Sequence, residues 1–262
     1  MKFLIGVDCD GPACVVGDPG RPLSLSRDMP FAREQATRET DAAARALLDS
    51  GAAERVVVWD NHGFGSNLVF DRLPQKVEVM LGTGFGRRFP GLDETFAGVL
   101  MIGYHAMEGT PNGVLAHTYS PDAFRAVRVN GRTAGEIALD ASVAGEFGVP
   151  LIFLASDNHG CDEALQFMPW IETVATKQGL GRNCAFSKHP AAAVEEIYEG
   201  VARALGRIHE MKPFTFRRPP HVEIHFKKPI QALKARIRRK GWRLAGPLTL
   251  RATLPSMLEW QC

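Results

Sequence analysis

No stretch of the 262 residues is long and apolar enough to cross a bilayer. The first apolar run, FLIGV, is cut by Asp8 and Asp10 before it reaches the length of a secretory signal. Cysteines are few and odd in number, at positions 9, 14, 161, 184 and 262, and no pair has zinc-finger spacing. That usage excludes a disulfide framework and leads us to expect reduced thiols and a cytoplasmic location. Neither sign of charge dominates: the formal net charge is +2, which by itself selects no nucleic-acid or membrane partner. Internal repeats and low-complexity segments are also missing. What remains is an ordinary soluble composition, 45% hydrophobic and 23% charged, long enough for one large domain or one domain with a small lobe.

Four short apolar runs end in polar residues. FLIGV leads to Asp8 and Asp10, ERVVVWD ends at Asp60, AGVLMIGYH at His105, and VPLIFLASDN near Asp157 and Asn158. Their length and β-branched content predict buried strands. Helical patterns lie between and after them, over 31–50 (stopped by Gly51), 133–148, and 190–209 (opened by Pro190). Asn130-Gly131 marks a hairpin. Strands alternating with helices predict an α/β fold, a mostly parallel sheet with helices on both faces.

The end of the chain differs. From Lys212 onward twelve Lys and Arg stand against two Glu, and the pattern reads strand, helix, strand. We therefore expect an α/β domain over 1–211 and a small basic C-terminal α/β lobe over 212–262, packed on it. The basic run lacks the interleaved aromatics of a single-strand binder. A solvated face, or contact with an acidic neighbouring subunit, accounts for it better than nucleic acid.

Side chains alternate along a strand, so Asp8 and Asp10 point the same way, and adjacent carboxylates need a cation or a shared proton between them. In open α/β sheets the carboxyl ends of the strands are where ligands bind. Asp8 and Asp10 follow the first strand, Asp60 and His62 the second, His105 the third. His117 comes twelve residues later, and Glu136 opens a helix. Each alone is commonplace: a histidine after a strand is usually a satisfied loop residue, and a glutamate in a first helical turn favours the dipole. Gathered on one sheet edge, carboxylates and imidazoles are the donor set of a transition-metal site.

Six ordered segments, VDCDG, VVVWDNHG, TFAGVLMIGYHAMEGTPNGVLAHTYS, VNGRTAGEIALDASVAGEFGVPLIFLASDN, VATKQGLGRNCA and the closing strand-helix-strand, make the chain resemble the zinc-dependent D-aminopeptidases, dinuclear metallopeptidases associated with bacterial dipeptide-transport operons. The resemblance implies two divalent ions per chain, Zn²⁺ with Mn²⁺ or Co²⁺ as substitutes. Asp8 would bridge them, Asp10 and His105 would complete one site, and His62 and Glu136 the other. His117 would be the catalytic histidine and Lys177 a substrate-binding residue. The implied activity is removal of the amino-terminal residue, of D configuration, from small peptides or aminoacyl amides. The implied assembly is a homo-oligomeric ring, a decamer.

At one position the chain departs from the family pattern. The family has Asp-x-Glu-Gly where this chain has Asp8-Cys9-Asp10-Gly11, so the second carboxylate reaches about 1.5 Å less far. Two other functions stay open on the residues alone, a metal-dependent amidase acting on a non-peptide acyl amide and a non-catalytic peptide- or metal-binding homologue. GTGFG at 82–86 does not join a first strand to its helix, so it is read as a loop and not as a dinucleotide site.

Overall fold

β-Branched runs and alanine-rich helices alternate along the chain, and the computed structural model, which describes residues 1–260, places them in two sheets. In chain order the strands are β1 (Lys2–Val7), β2 (Arg55–Asp60), β3 (Val77–Met80), β4 (Phe96–Ile102), β5 (Phe124–Val129), β6 (Arg132–Thr133), β7 (Leu151–Asp157), β8 (Glu172–Gly181), β9 (Cys184–Ser187), β10 (His221–Phe226), β11 (Arg243–Leu244) and β12 (Thr249–Thr253). The helices are α1 (Met29–Asp49), α2 (Glu136–Gly145), α3 (Asn158–Phe167), α4 (Pro190–Gly206) and α5 (Pro229–Arg238). Cys262 lies outside the described residues. No described helix is long and apolar enough to cross a membrane.

The main sheet has the order β3-β2-β1-β4-β7-β8-β9, parallel throughout except for the β8–β9 hairpin. Its central strands β1, β2, β4 and β7 are buried on both faces, which is why they read as unbroken apolar runs. Phe3, Ile5 and Val7 pack with Ala36 and Leu47 of α1 and Ile197 and Val201 of α4. Leu4 looks the other way, into a cluster shared with Ile137 of α2 and Ala164 of α3. The expected layering, helices on both faces of a mostly parallel sheet, is what the chain forms.

The second sheet, β11-β12-β10-β5-β6, is antiparallel. Asn130 and Gly131 both take positive φ at the β5–β6 turn, +52° and +81°, as a tight hairpin requires. Strand β10 of the basic tail sits at the centre of this sheet and pairs with β5, Ile224 opposite Val127. The sheet therefore crosses the 211/212 boundary suggested by charge, and its core residues Val222 and Leu250 belong to the same apolar cluster as α2.

One buried group in this frame sets a pH dependence. Glu39 on α1 is fully buried, and Oε1 accepts from Ala13 N and Gln35 Nε2, both at 2.9 Å, while Oε2 has no partner. Burial pushes its carboxyl up to about 7. The folded chain keeps this proton to about pH 7 and the unfolded chain loses it near the ordinary carboxyl value of 4.5. The folded state therefore binds more protons across that window, and stability falls as pH rises through it. The full effect is roughly 3 kcal/mol for a shift of this size. Urea unfolding with chelator, at one protomer concentration, is expected to show Glu39→Gln losing about that much less than the parent between pH 4.5 and 7.5. Parallel pH profiles for the two proteins would show that Glu39 ionises normally.

Candidate metal centre

Strand β1 lies between β2 and β4, all parallel, so three carboxyl ends emerge side by side. Asp8 N donates to Ile102 O and Gly11 N to Gly103 O, which continues the ladder past both strands and brings their exits together. Only glycine fits at this crossing: a methyl on Gly11 would run into the Tyr104 carbonyl, and Gly103 has φ +72° and lies against Asp8 O. Asp8 Oδ1 accepts from Asp10 N at 3.0 Å, turning both carboxylates to one side.

His62 stands on a loop folded by Asp60. The Asp60 carboxylate accepts from Asn67 N, Asn67 Nδ2 and Leu68 N, and Asn67 Nδ2 also donates to His62 O at 2.6 Å. His105 stands three residues past the end of β4, after Gly103 and Tyr104. His117 lies on a loop anchored through Leu115 N to Arg182 O and His117 N to Ala106 O. Leu115 and Tyr119, on either side of His117, both have positive φ, +52° and +54°, backbone strain of the kind that persists at functional sites. Glu136 is the first residue of α2.

These residues converge. His62 Nε2 is 3.4 Å from Asp10 Oδ2, His105 Nε2 is 3.4 Å from Glu136 Oε1, and the His105 and His117 rings stack at 3.9 Å. Three ligand groups close tightly enough for one ion: Asp8, Asp10, His62; Asp8, His105, Glu136; and Asp10, His105, His117. The first two share Asp8, and they join His62 to Asp10 and His105 to Glu136, a different partition from the one the resemblance implied. All of Asp8, Asp10, His105 and Glu136 are buried, and the set opens onto a cleft of about 670 Å³.

The donor chemistry fits cations. His105 Nδ1 is 3.1 Å from Ala106 O, and a carbonyl only accepts, so that nitrogen carries the hydrogen in the neutral ring. Its Nε2, buried and without a hydrogen-bond partner, then presents a lone pair to the carboxylates, an arrangement that makes sense around a positive ion. Asp10 is pushed up by burial and by Asp8 beside it. Burial works to lower the His105 pKa, but Glu136, Asp8 and Asp10 outweigh it and raise it to about 10. Burial likewise works to raise Glu136, but His105 and then His117 overcome it and lower it to about 2. The two shifts are the two sides of a single contact, His105 against Glu136.

Lys177, expected at the substrate, stands behind the site. It is 2% exposed and outside the cleft lining, and Nζ donates to Asp10 O, Pro12 O and Val15 O at 2.9, 2.8 and 2.7 Å. Burial lowers its ammonium to about 8 against the pull of Asp157, Glu39 and Asp10. All three hydrogens go to the loop that carries Asp10.

Sequence reading missed two further supports. Glu163 accepts from Met107 N and Gly135 N, tying the segment after His105 to the residue before Glu136. Arg88 makes two bonds to Asp140, which also accepts from Tyr104 and Tyr119, while Tyr119 N donates to Glu136 Oε1 at 2.6 Å. Neither has a local motif; only the fold brings these positions together.

A buried carboxylate–imidazole cluster at the strand ends of an α/β sheet, open to a cleft and built for cations, defines a metal-dependent hydrolase. Comparison with known proteins narrows the class: the sequence profile of the D-aminopeptidase family matches residues 1–261, so the chain belongs to that family and is a peptide-bond hydrolase. It is 31% identical to the D-aminopeptidase of Bacillus subtilis (strain 168) over 264 aligned residues, 99% of this chain and 93% of that one. It superposes with a TM-score of 0.92 on a solved structure described as the Zn-dependent D-aminopeptidase DppA from Bacillus subtilis, a self-compartmentalizing protease, at 30% identity and with 99% and 93% of the two chains covered.

Proposed function

We propose that the chain removes the amino-terminal residue, of D configuration, from small peptides, with two zinc ions per chain. The observation that carries this reading is the pair of three-ligand groups sharing Asp8. Asp8, Asp10 and His62 would hold one ion, and Asp8, His105 and Glu136 the other. Three carboxylates against two divalent ions leave the site one positive charge. Bound there, the ions would supply Lewis acidity toward the scissile carbonyl and a water made acidic near neutral pH.

The rest falls to the chain. His117 Nδ1 is 2.8 Å from Leu115 O and so holds the hydrogen, leaving Nε2 bare, 3.9 Å from Glu136 Oε1 and facing the cleft. In this tautomer it takes a proton at Nε2 and returns it to the departing amine. Lys177 and Glu163 position the ligand loops. The cleft volume suits a short peptide. The relative described as self-compartmentalizing supports a homo-oligomer, with a ring-type decamer as the assembly the resemblance implies. The free thiols of Cys9, Cys14, Cys161 and Cys184 fit a reducing cytoplasm.

The test is metal analysis and turnover together. The purified protein, reconstituted separately with zinc, manganese and cobalt, is expected to hold two ions per chain and to cleave D-aminoacyl amides faster than their L counterparts. One ion or fewer per chain refutes the dinuclear site. Cleavage of simple acyl amides in preference to aminoacyl ones would favour an amidase.

A further inference from the structure

Helix α5 buries only Ala232, while Ile230, Leu233 and Ile237 are 52%, 48% and 77% exposed. Spacings of three and four residues put these three side chains on one face of the helix. Leu244 is also exposed, on β11, against which α5 packs. Single exposed aliphatics are common, but a stripe of them along one helix marks a surface that another surface covers. Basic side chains flank the stripe. Lys234, Arg236, Arg238 and Lys240 are exposed, and none has a carboxylate within 4.0 Å among the described residues. The covering surface must then be acidic.

The chain itself carries such a surface. Residues 1–211 hold 19 Lys and Arg against 27 Asp and Glu. Glu195, Tyr198 and Glu199 are exposed on α4 at spacings of three and four, so they share a face, and Tyr198 Oη donates to Asp49 Oδ2 at 3.1 Å at the end of α1. Asp49, Glu195 and Glu199 have no basic partner within 4.0 Å among the described residues. Helices α1 and α4 cover one face of the main sheet, whereas α5 sits on the second sheet, whose core joins the cluster on the other face. One chain therefore cannot cover its own stripe, and α5 against α5 of another copy would set like charges together. We propose that the basic, apolar face of α5 docks on the acidic α1–α4 face of a second copy, head to tail. Each chain then offers one face of each kind, so the contact repeats from copy to copy and closes into a ring where the rotation allows. The inference rests on the homo-oligomer proposed above.

Analytical ultracentrifugation of the metal-loaded protein tests this with two variants. Ile237→Asp spoils the α5 face, and Glu195→Lys with Glu199→Lys spoils the acidic face. All three positions are exposed, and melting curves followed by circular dichroism check the fold. Lys234→Glu with Arg236→Glu, which keeps the apolar stripe, replaces Ile237→Asp should that variant unfold. Each variant alone is expected to form smaller assemblies than the parent and to need about hundredfold higher concentration to associate, the effect of losing a buried isoleucine and misplacing charge. Mixed, the two are expected to pair, because the intact α5 face of one meets the intact acidic face of the other. No pairing in the mixture, or parent-like assembly of either variant, overturns the proposal and leaves the homo-oligomer standing. A parent that stays monomeric at every concentration overturns both. Flotation with vesicles of equal parts phosphatidylserine and phosphatidylcholine gives the remaining outcome: parent binding that Ile237→Asp abolishes, with its assembly unchanged, would assign the stripe to a membrane and overturn the contact between copies.

Discussion

Asp8→Ala is expected to release both ions and to lower turnover by roughly 10³-fold or more, the scale of losing several kcal/mol of Lewis-acid stabilisation. Asp8 belongs to both of the ligand groups that define the two proposed ion sites, whereas His62 and Glu136 each belong to one. The variants should therefore separate by stoichiometry. His62→Ala is expected to keep one ion, held by Asp8, His105 and Glu136, and Asp8→Ala to keep none tightly. Asp8→Asn serves as the structural control, because an amide oxygen can still accept from Asp10 N as Asp8 Oδ1 does at 3.0 Å. Mass-spectrometric metal analysis after gel filtration reads the result. Two ions retained by Asp8→Ala would remove it from the bridge.

His117→Ala is expected to leave both ions in place and to lower kcat by about 10²–10⁴-fold, the usual worth of positioned general acid–base help. The distinction matters because His117 also closes a ligand group with Asp10 and His105, and its ring stacks on that of His105. If it held an ion, metal content would fall with activity. If it only moved protons, the two readouts would part. The loop that carries it is held by Leu115 N to Arg182 O and His117 N to Ala106 O, bonds that the substitution does not touch. A kcat close to that of the parent would make it a loop histidine held by the Leu115 carbonyl and nothing more.

The sheet and the residues at its edge were legible because both depend on local pattern. Buried parallel strands read as apolar runs, and polar residues at their ends mark where each strand leaves the core. β3 and β8 escaped notice. VEVM is only half-buried, and ETVATKQGLG alternates weakly because its outward residues are small or polar. The tail read as strand, helix, strand, which β10, α5 and β12 follow, and its charge set it apart as a small lobe packed on the rest. Strand pairing does not follow charge: β10 needed a partner, and the β5–β6 hairpin some ninety residues earlier supplies it.

Lys177 illustrates the other limit. A lysine near a presumed active site suggests a substrate contact, and nothing in ATKQG says that its ammonium turns inward to three carbonyls. That geometry exists only because β8 lies two strands away from β4 and the 10–15 loop folds back over it. Glu163 was invisible for the same reason, since its partners Met107 and Gly135 come from segments that sequence spacing does not relate.

All five proposed ligands and His117 fall within the first 136 residues, whereas the groups that brace their loops, Glu163, Lys177 and Arg182, come later. Translation therefore delivers the coordinating side chains long before the struts that aim them. A ribosome-bound chain that has exposed only its first half has β1, β2 and β4 but neither β7 nor β8, so nothing yet grips the loop behind Asp10. Loading of the proposed ions would then be a closing event, set by completion of the sheet and not by emergence of the ligands.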